Sequence, residues 1–411
     1  MGAALDINDN QSDLCKGKQE KLITIPITEG QLEIWVVCTL GGDKTNCSYN
    51  LGVTVTIKGP LDIELFTKCL DELVRCHEIL RATFSSEGKH ILIHPDIRAE
   101  SYRYDISNKS EDSKVAFMAS LNKKDKETPY DLENGPLFRH YLVKASEEEH
   151  LLKLGAHHLV CDGWSWGVIL QDIIKLYLSY SRGENRISVK AGSYGEYALK
   201  LQDYHQSEEY KKQEQFWLNQ YEDEIPILDI PTDRPRQAPR NYECERMDHK
   251  ISGSLYENIK GLKRRNKTTI ATILITAFET YLYRVTGQDT ITLAMPTAGQ
   301  VITNNYHLVG HCVNLLPLKS HHNGEANFLT YLNHRKFELL QAYENNGVTY
   351  GTLLNKLNIP RDSSRIPLVP VMLSIMNNIE DIDTFPLQFS IKNDIRVYDN
   401  FEISILALIS K

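Results

Sequence analysis

Two adjacent imidazoles, His157 and His158, close an apolar run in LLKLGAHHLVCDGWSWGVIL (Leu151 to Leu170), and Asp162 and Gly163 follow them across a short turn. A neutral imidazole at the end of a strand is a natural general base near neutral pH. If Leu151 to His158 is extended, alternate side chains face opposite sides. His158 then shares a face with Leu152, Leu154 and Ala156, and His157 shares the other with Leu151, Lys153 and Gly155. The two rings cannot both address one ion or one substrate, so a His-His metal site is disfavoured and no metal is expected. One histidine should work and the other brace it, and the strand leaves open which. Asp162 is placed to accept a hydrogen bond or to meet an arginine, and either role biases a histidine's tautomer and pKa. Gly163 suits a turn that needs positive φ, or a substrate that comes close to the backbone. A plainer reading is also open: both histidines are satisfied core or edge residues, and Asp162 caps the helix that Trp164 and Ser165 begin. Cys161 makes a poor nucleophile, because a carboxylate adjoins it and nothing nearby lowers the thiol pKa. The chain has no G-x-S-x-G elbow, P-loop or dinucleotide glycine fingerprint.

The elements that must position these residues follow from periodicity. LGVTVTIKGP, KHILIHP, PLFRHYLVKAS and EHLLKLGAHHLV read as strands, the last delivering the histidines at its end. Apolar residues at helical spacing run from Leu65 to Leu80, and WSWGVILQDIIKLYLSYSRG reads as an amphipathic helix closed by Gly183. Tyr194 to Tyr221 is polar and should be one helix or two. Ile227 to Arg240 holds three prolines and reads as an extended connector. Helix patterns follow at Leu255–Lys263, Ile270–Thr286, Phe328–Glu344 and Leu353–Leu357. Strand patterns follow at DTITLAM, HCVNLLPLK, PLVPVMLSIM and NFEISILALISK, with a turn at PTAGQ. The expected class is α+β in two lobes, split near residues 181 to 195, with the last strand cut inside its sheet.

Composition bounds the function. The 411 residues carry 46 basic and 54 acidic side chains, a net charge of −8 that argues against a nucleic-acid binder. The 8 cysteines form no C-x-x-C pair, which speaks against structural zinc, and a reducing, cytoplasmic setting is expected. The first twenty residues are polar and no apolar run approaches membrane length, so no membrane partner is expected.

HHLVCDG resembles the HHxxxDG motif of nonribosomal peptide synthetase condensation domains, relatives of chloramphenicol acetyltransferase. Companion stretches strengthen the likeness. ITEGQLEIW is similar to S-x-A-Q-x-R-L-W, and CHEILRATF to R-H-E-x-L-R-T-x-F. LDIPTDRPR looks like the interlobe connector. VGHCVNLLPLK resembles V-G-x-F-V-N-x-L-P-L-R, and RDSSRIPLVPVM resembles R-D-x-S-R-x-P-L. They occur in family order from Ile27 to the C-terminus. The resemblance implies two chloramphenicol-acetyltransferase-like lobes in a V with a tunnel between them. Residues 1–21 would be a polar linker, 22–180 the N-terminal, donor-side lobe carrying HHxxxDG, and 181–411 the C-terminal, acceptor-side lobe. Upstream and downstream carrier domains of neighbouring synthetase modules would present acyl or peptidyl and aminoacyl thioesters on phosphopantetheine, and the chain would need no cofactor of its own. His158 and Gly163 would be catalytic. His157, Asp162, Arg81, Arg365 and Asn314 would support the site, and Trp164, Ser165 and Gln300 would line the tunnel.

The sequence departs from the family pattern in places. Cys76 stands where R-H-E has arginine, Gln300 where A-G-R has arginine, and Cys312 where V-G-x-F has phenylalanine. The arginine partner expected for Asp162 is therefore Arg81 or Arg365. These changes look like the subtype that follows polyketide modules. The competing readings are an epimerisation domain, a freestanding coenzyme A-dependent acyltransferase and a non-catalytic recruiting domain. The intact histidine pair argues against heterocyclisation.

Overall fold

The computed structural model describes residues 21–184, 189–359, 362–377, 381–384 and 386–409. The expected linker up to residue 20, Arg361 of the R-D-x-S-R stretch and the last two residues lie outside these. In chain order the elements of the first half are β1 Ile23–Pro26, α1 Glu29–Cys47, β2 Asn50–Lys58, α2 Ile63–Cys76, β3 Ala82–Phe84, β4 His90–Ile93, β5 Glu100–Asp105, α3 Glu111–Glu127, β6 Phe138–Lys144, β7 Glu149–His157 and α4 Gly163–Ser181. Then come α5 Tyr194–Tyr204, α6 Glu208–Gln220, α7 Gly253–Arg265, α8 Ile270–Thr286, β8 Thr290–Ala298, α9 Gly299–Ile302, β9 Val313–His321, α10 Phe328–Glu344, α11 Tyr350–Lys356, β10 Val371–Asn377, β11 Ile382–Thr384, β12 Leu387–Asn393 and β13 Ile403–Ile409.

Helix α2 shows how pattern and tertiary contact share the outcome. Phe66, Cys69, Leu70, Leu73 and Val74 repeat at helical spacing and are buried, and the Asp62 side chain accepts from Leu65 N at 3.0 Å to start the helix. The apolar pattern runs on to Leu80, but the helix stops at Cys76 and Glu78–Arg81 forms a 3₁₀ turn. Three long-range bonds hold that turn. His77 Nε2 lies 3.0 Å from Asp172 on α4, and Glu78 Oε1 accepts from Ser193 Oγ (2.9 Å) and Gly195 N (3.0 Å) at the start of α5. The R-H-E stretch thus ties α4 and α5 together. The polar stretch after Ser193 is two helices, broken at His205 and restarted by Ser207 as the cap of α6.

The main sheet has six strands in the order β11-β12-β2-β7-β6-β5, and β7 lies inside it. The second sheet runs β13-β10-β8-β9, and a small one runs β1-β4-β3. The strand order corrects the expected lobe boundary. Residues 387–393, assigned by sequence to the second lobe, run antiparallel to β2 from Gln388↔Lys58 to Asn393↔Val53 and complete the first lobe's sheet. Leu387 and Phe389 point inward and bury in the first lobe's core, which gives this crossing its driving force.

A buried charge cluster anchors the same crossing. Asp394, just past β12, pairs with Lys153 on β7, and Lys153 also reaches Asp125 Oδ2 at 3.0 Å. Arg139 Nε donates to Asp125 Oδ1 at 2.7 Å, and the Tyr141 hydroxyl donates to the same oxygen at 3.2 Å. Burial pushes the Asp125 carboxyl up, but Lys153, Lys126 and Arg139 outweigh it and hold the group below the usual carboxylate range. Burial, with Lys153 adding to it, pushes buried Lys126 down to about 7. Gly52 and Gly155 face each other across β2 and β7. A Cβ at Gly52 would sit 2.5 Å from Lys126 Nζ, and one at Gly155 3.0 Å from Asp125 Oδ1. The two glycines vacate the space the ions occupy.

Candidate active site

Strand β7 ends at His157, and His158 is the first residue of the turn. His157 has no exposed surface. Its Nδ1 accepts from Leu159 N at 3.3 Å, its Nε2 lies 3.8 Å from Cys38 Sγ, and the rings of Tyr49 and Tyr130 flank it. Burial, with neighbouring His158 adding to it, pushes its pKa down to about 3, so it stays neutral. His158 turns the other way and is half-buried. Its backbone N donates to Tyr49 O at 2.9 Å, and its Nδ1 lies 3.1 Å from Nδ1 of His311, with the rings nearly perpendicular at 80°. Burial lowers its pKa and the Asp162 carboxylate opposes that, leaving a net downward shift and a neutral ring at neutral pH. The backbone oxygens of His158 itself and of Cys161 also lie against the ring and favour its charged form.

Asp162 has no exposed surface and takes four hydrogen bonds. Oδ1 accepts from Ser165 N (2.8 Å) and Ser165 Oγ (2.7 Å), which caps α4. Oδ2 accepts from Gln300 Nε2 (2.9 Å) and Cys312 N (3.1 Å), both in the second half of the chain. A carboxylate offers about four lone-pair sites. Asp162 is therefore fully spent on shape, and amides with the helix N-terminus balance its charge where an arginine was expected.

Several expected roles are corrected. Arg81 donates to the carbonyls of His94 (2.8 Å) and Arg75 (3.4 Å). Arg365 pairs with Asp229 (3.0 Å) and Asp362 (3.8 Å) on the connector side. Neither reaches Asp162, because Gln300 stands in the arginine's place. Gln300 and Ser165 have no exposed surface and line no passage. Both belong to the Asp162 network, with the Ser165 hydroxyl also accepting from Gly310 N (3.0 Å). Trp164 is half-buried. Its Nε1 donates to Tyr306 O at 3.0 Å and its ring leans on the Tyr306 ring, so it packs the two halves together. Asn314 Nδ2 donates to Asn346 O and Val348 O, both at 2.7 Å, and holds β9 to the α10–α11 loop. Gly163 opens α4, and a Cβ there would sit 2.9 Å from Met376 Cε at the end of β10. Residue pattern did not single out His311 or Met376. The signal for His311 was a second imidazole in VGHCVN, at a place where the family pattern leaves the residue unspecified.

No described helix is long and apolar enough to cross a membrane. Residues 21–411 match the family model of the condensation domain. Bacitracin synthase 3 of Bacillus licheniformis is 31% identical over 360 residues, 87% of this chain but 5% of that protein. Surfactin synthase subunit 1 of Bacillus subtilis (strain 168) is 30% identical over 366 residues, 88% of this chain and 10% of that protein. The chain thus spans a small fraction of these relatives. Among solved structures, the starter condensation domain of rhizomide synthetase, a double mutant in complex with C8-CoA and Leu-SNAC, superposes with a TM-score of 0.81 at 18% identity, covering 94% of this chain and 86% of that one. The four-domain nonribosomal peptide synthetase holo-AB3403 gives a TM-score of 0.81 at 17% identity, covering 96% of this chain and 31% of that one. Its α+β fold is that of these domains, and the chain belongs to the condensation-domain family of nonribosomal peptide synthetases.

Proposed function

We propose that this chain forms an amide bond between an acyl or peptidyl thioester and an aminoacyl thioester, each carried on the phosphopantetheine of a neighbouring carrier domain. The observation that carries this reading is the contrast between the histidines: one imidazole is sealed in the core, and the other is half-buried where the two halves of the chain meet. The acceptor amine attacks the donor carbonyl and the amide forms as the pantetheine thiolate leaves. His158 Nε2 orients the amine and takes its proton as the new bond forms. The proton then leaves with the thiolate, so that a free thiol is released. Gly163, at the N-terminus of α4, supplies an amide where charge develops on the donor oxygen. Both substrates arrive tethered, through a passage between the lobes, so rate comes largely from positioning. The departures at Gln300 and Cys312 support a donor delivered by a polyketide-type module.

The test is to load one carrier with an acyl group and another with an aminoacyl group, add the protein, and measure the joined product by mass spectrometry. His158→Ala should lower its formation about 100-fold or more. Undiminished product in that variant would remove His158 from the mechanism. Deuterium uptake at Cα without a joined product would replace condensation by epimerisation. Running ketide-derived and peptidyl donors in parallel tests the donor class.

A further inference from the structure

Helices α1 and α11 belong to different cores. Ile34 and Cys38 of α1 bury in the first lobe's core, and Leu353 of α11 buries with the second sheet. Polar groups join the two helices. Glu29 Oε2 accepts from Thr349 Oγ (3.2 Å) and Thr352 Oγ (2.9 Å), and Glu33 Oε1 accepts from Gly351 N (2.8 Å). The fit is close, because a Cβ at Gly351 would overlap the Glu33 carboxyl. His205, at the end of α5, sets its Nδ1 3.3 Å from Glu29 Oε1. Two carboxyl groups one helical turn apart on α1 thus meet the start of α11 side by side. Glu33 stands where the S-x-A-Q-x-R-L-W pattern has arginine, so the pattern does not call for an acid at this place. Gly30, between the two acids, lies against His311, where a Cβ would sit 3.2 Å from Nε2. The seam between α1 and α11 therefore borders the candidate active site.

We propose that this seam is a proton-controlled clasp between the halves: Glu33 holds α11 on α1 while it carries a proton, and loosens it on losing one. Glu33 is half-buried there. Burial pushes its pKa from 4.5 up to about 7, against the pull of its bonds to Thr349 and Gly351, and the charge of Glu29 adds to the rise. With α11 lifted away, Glu33 meets water and binds fewer protons between pH 4.5 and 7 than it does when docked. The docked form is therefore favoured at low pH, weakens as pH rises across that window and levels off above it. The other titratable groups facing the two acids are Tyr49 just before β2, Tyr350 on α11, Tyr210 on α6 and His205. Arg240 of the connector acts on Tyr49 and Tyr350. Burial pushes all three tyrosine hydroxyls up, so they keep their protons throughout. A proton on the His205 ring would tighten its pairing with Glu29, a dependence of the same sign, so His205 supplies the control.

The test is hydrogen exchange of the full chain from pH 5.5 to pH 8, read as protection factors so that the intrinsic pH dependence of exchange is removed. The amides of α11 should lose protection as pH rises to about 7, by at most about 10-fold per pH unit, and no further above it. Glu33→Gln keeps an acceptor for Gly351 N and cannot ionise, so it should hold the docked level of protection at every pH. His205→Gln should leave the wild-type dependence in place. A flat wild-type profile would overturn the proposal, as would the same slope in Glu33→Gln or its loss in His205→Gln. A second readout needs no variant. The amide signal of Gly351 should shift with one inflection near pH 7, since its N–H is bonded to the titrating carboxyl. An inflection at or below pH 5 would overturn the proposal even if Glu33→Gln failed to fold.

Discussion

Two regions of this molecule bury polar side chains, and they do so in opposite ways. Beneath the main sheet, Asp125, Lys126, Arg139, Lys153 and Asp394 are charged or titrating and lie almost wholly out of solvent. At the junction of the halves, His157 and His311 stay neutral and Asp162 is surrounded by amides and a hydroxyl. The first region gains by balancing charge. The second gains by hydrogen bonding and leaves the His158 ring half-buried. Partly satisfied burial is costly. Both regions carry some of that cost: Tyr130 Oη beside the ions and Gln300 Oε1 beside Asp162 are buried without a partner among the described residues.

Removing one charge from the first region should have the largest effect. Asp394→Ala should cost about 3 kcal/mol in a denaturant titration, because it leaves Lys153 short of a partner. Lys153→Met combined with Asp394→Leu should recover much of that loss, and no recovery would mean that the cluster is more than charge balance. Asp162→Ala should cost about 2 kcal/mol and lower turnover with it, since the Cys312 amide and Gln300 lose a charged acceptor. The pH dependence separates the regions further. His157 binds its proton near 6.5 unfolded but only near 3 folded, and His140 only near 4. The unfolded chain therefore binds more protons in that window, and stability should fall as pH drops below about 6.5, by about 1.4 kcal/mol per pH unit for each histidine. His157→Gln should flatten this slope in denaturation midpoints measured from pH 6 to pH 4. The smallest effect is expected of Gln300→Ala, about 1 kcal/mol, because Asp162 keeps three of its partners. A cost as large as that of Asp394→Ala would show that Gln300 does the work of an arginine.

Much of this arrangement was legible in the residues. That His157 and His158 face opposite ways followed from strand alternation, and Asp162 as a cap followed from its spacing to Ser165. Helices α2, α4, α8 and α10 were readable because they bury a regular apolar face. Helix α1 was not, because Gly41 and Gly42 interrupt it and Gly42 sits at φ 71° inside it. Helix α3 was missed because it is charged on nearly every face and buries only Leu121, Asp125 and Lys126. The crossing of β12 was hidden because pairing partners some 335 positions apart, Ile391 and Val55 among them, leave no local signal. Gln300 in place of arginine was visible, but its consequence was not: the family pattern pointed to another arginine, whereas amide groups and a helix terminus satisfy the carboxylate.

The return of β12 to β2 has a consequence for engineering. The proline-rich connector at 227–240 looks like a natural place to splice one domain's front half to another's back half. Yet the back half carries the strand that covers β2, and the aspartate that neutralises Lys153, only two strands from the histidines. A chimera joined at that connector replaces both, and leaves the front half's ion cluster to a stranger's sequence. Exchange should succeed only where the incoming piece brings an acid at the position of Asp394, or where residues 382–394 stay with the sheet they complete.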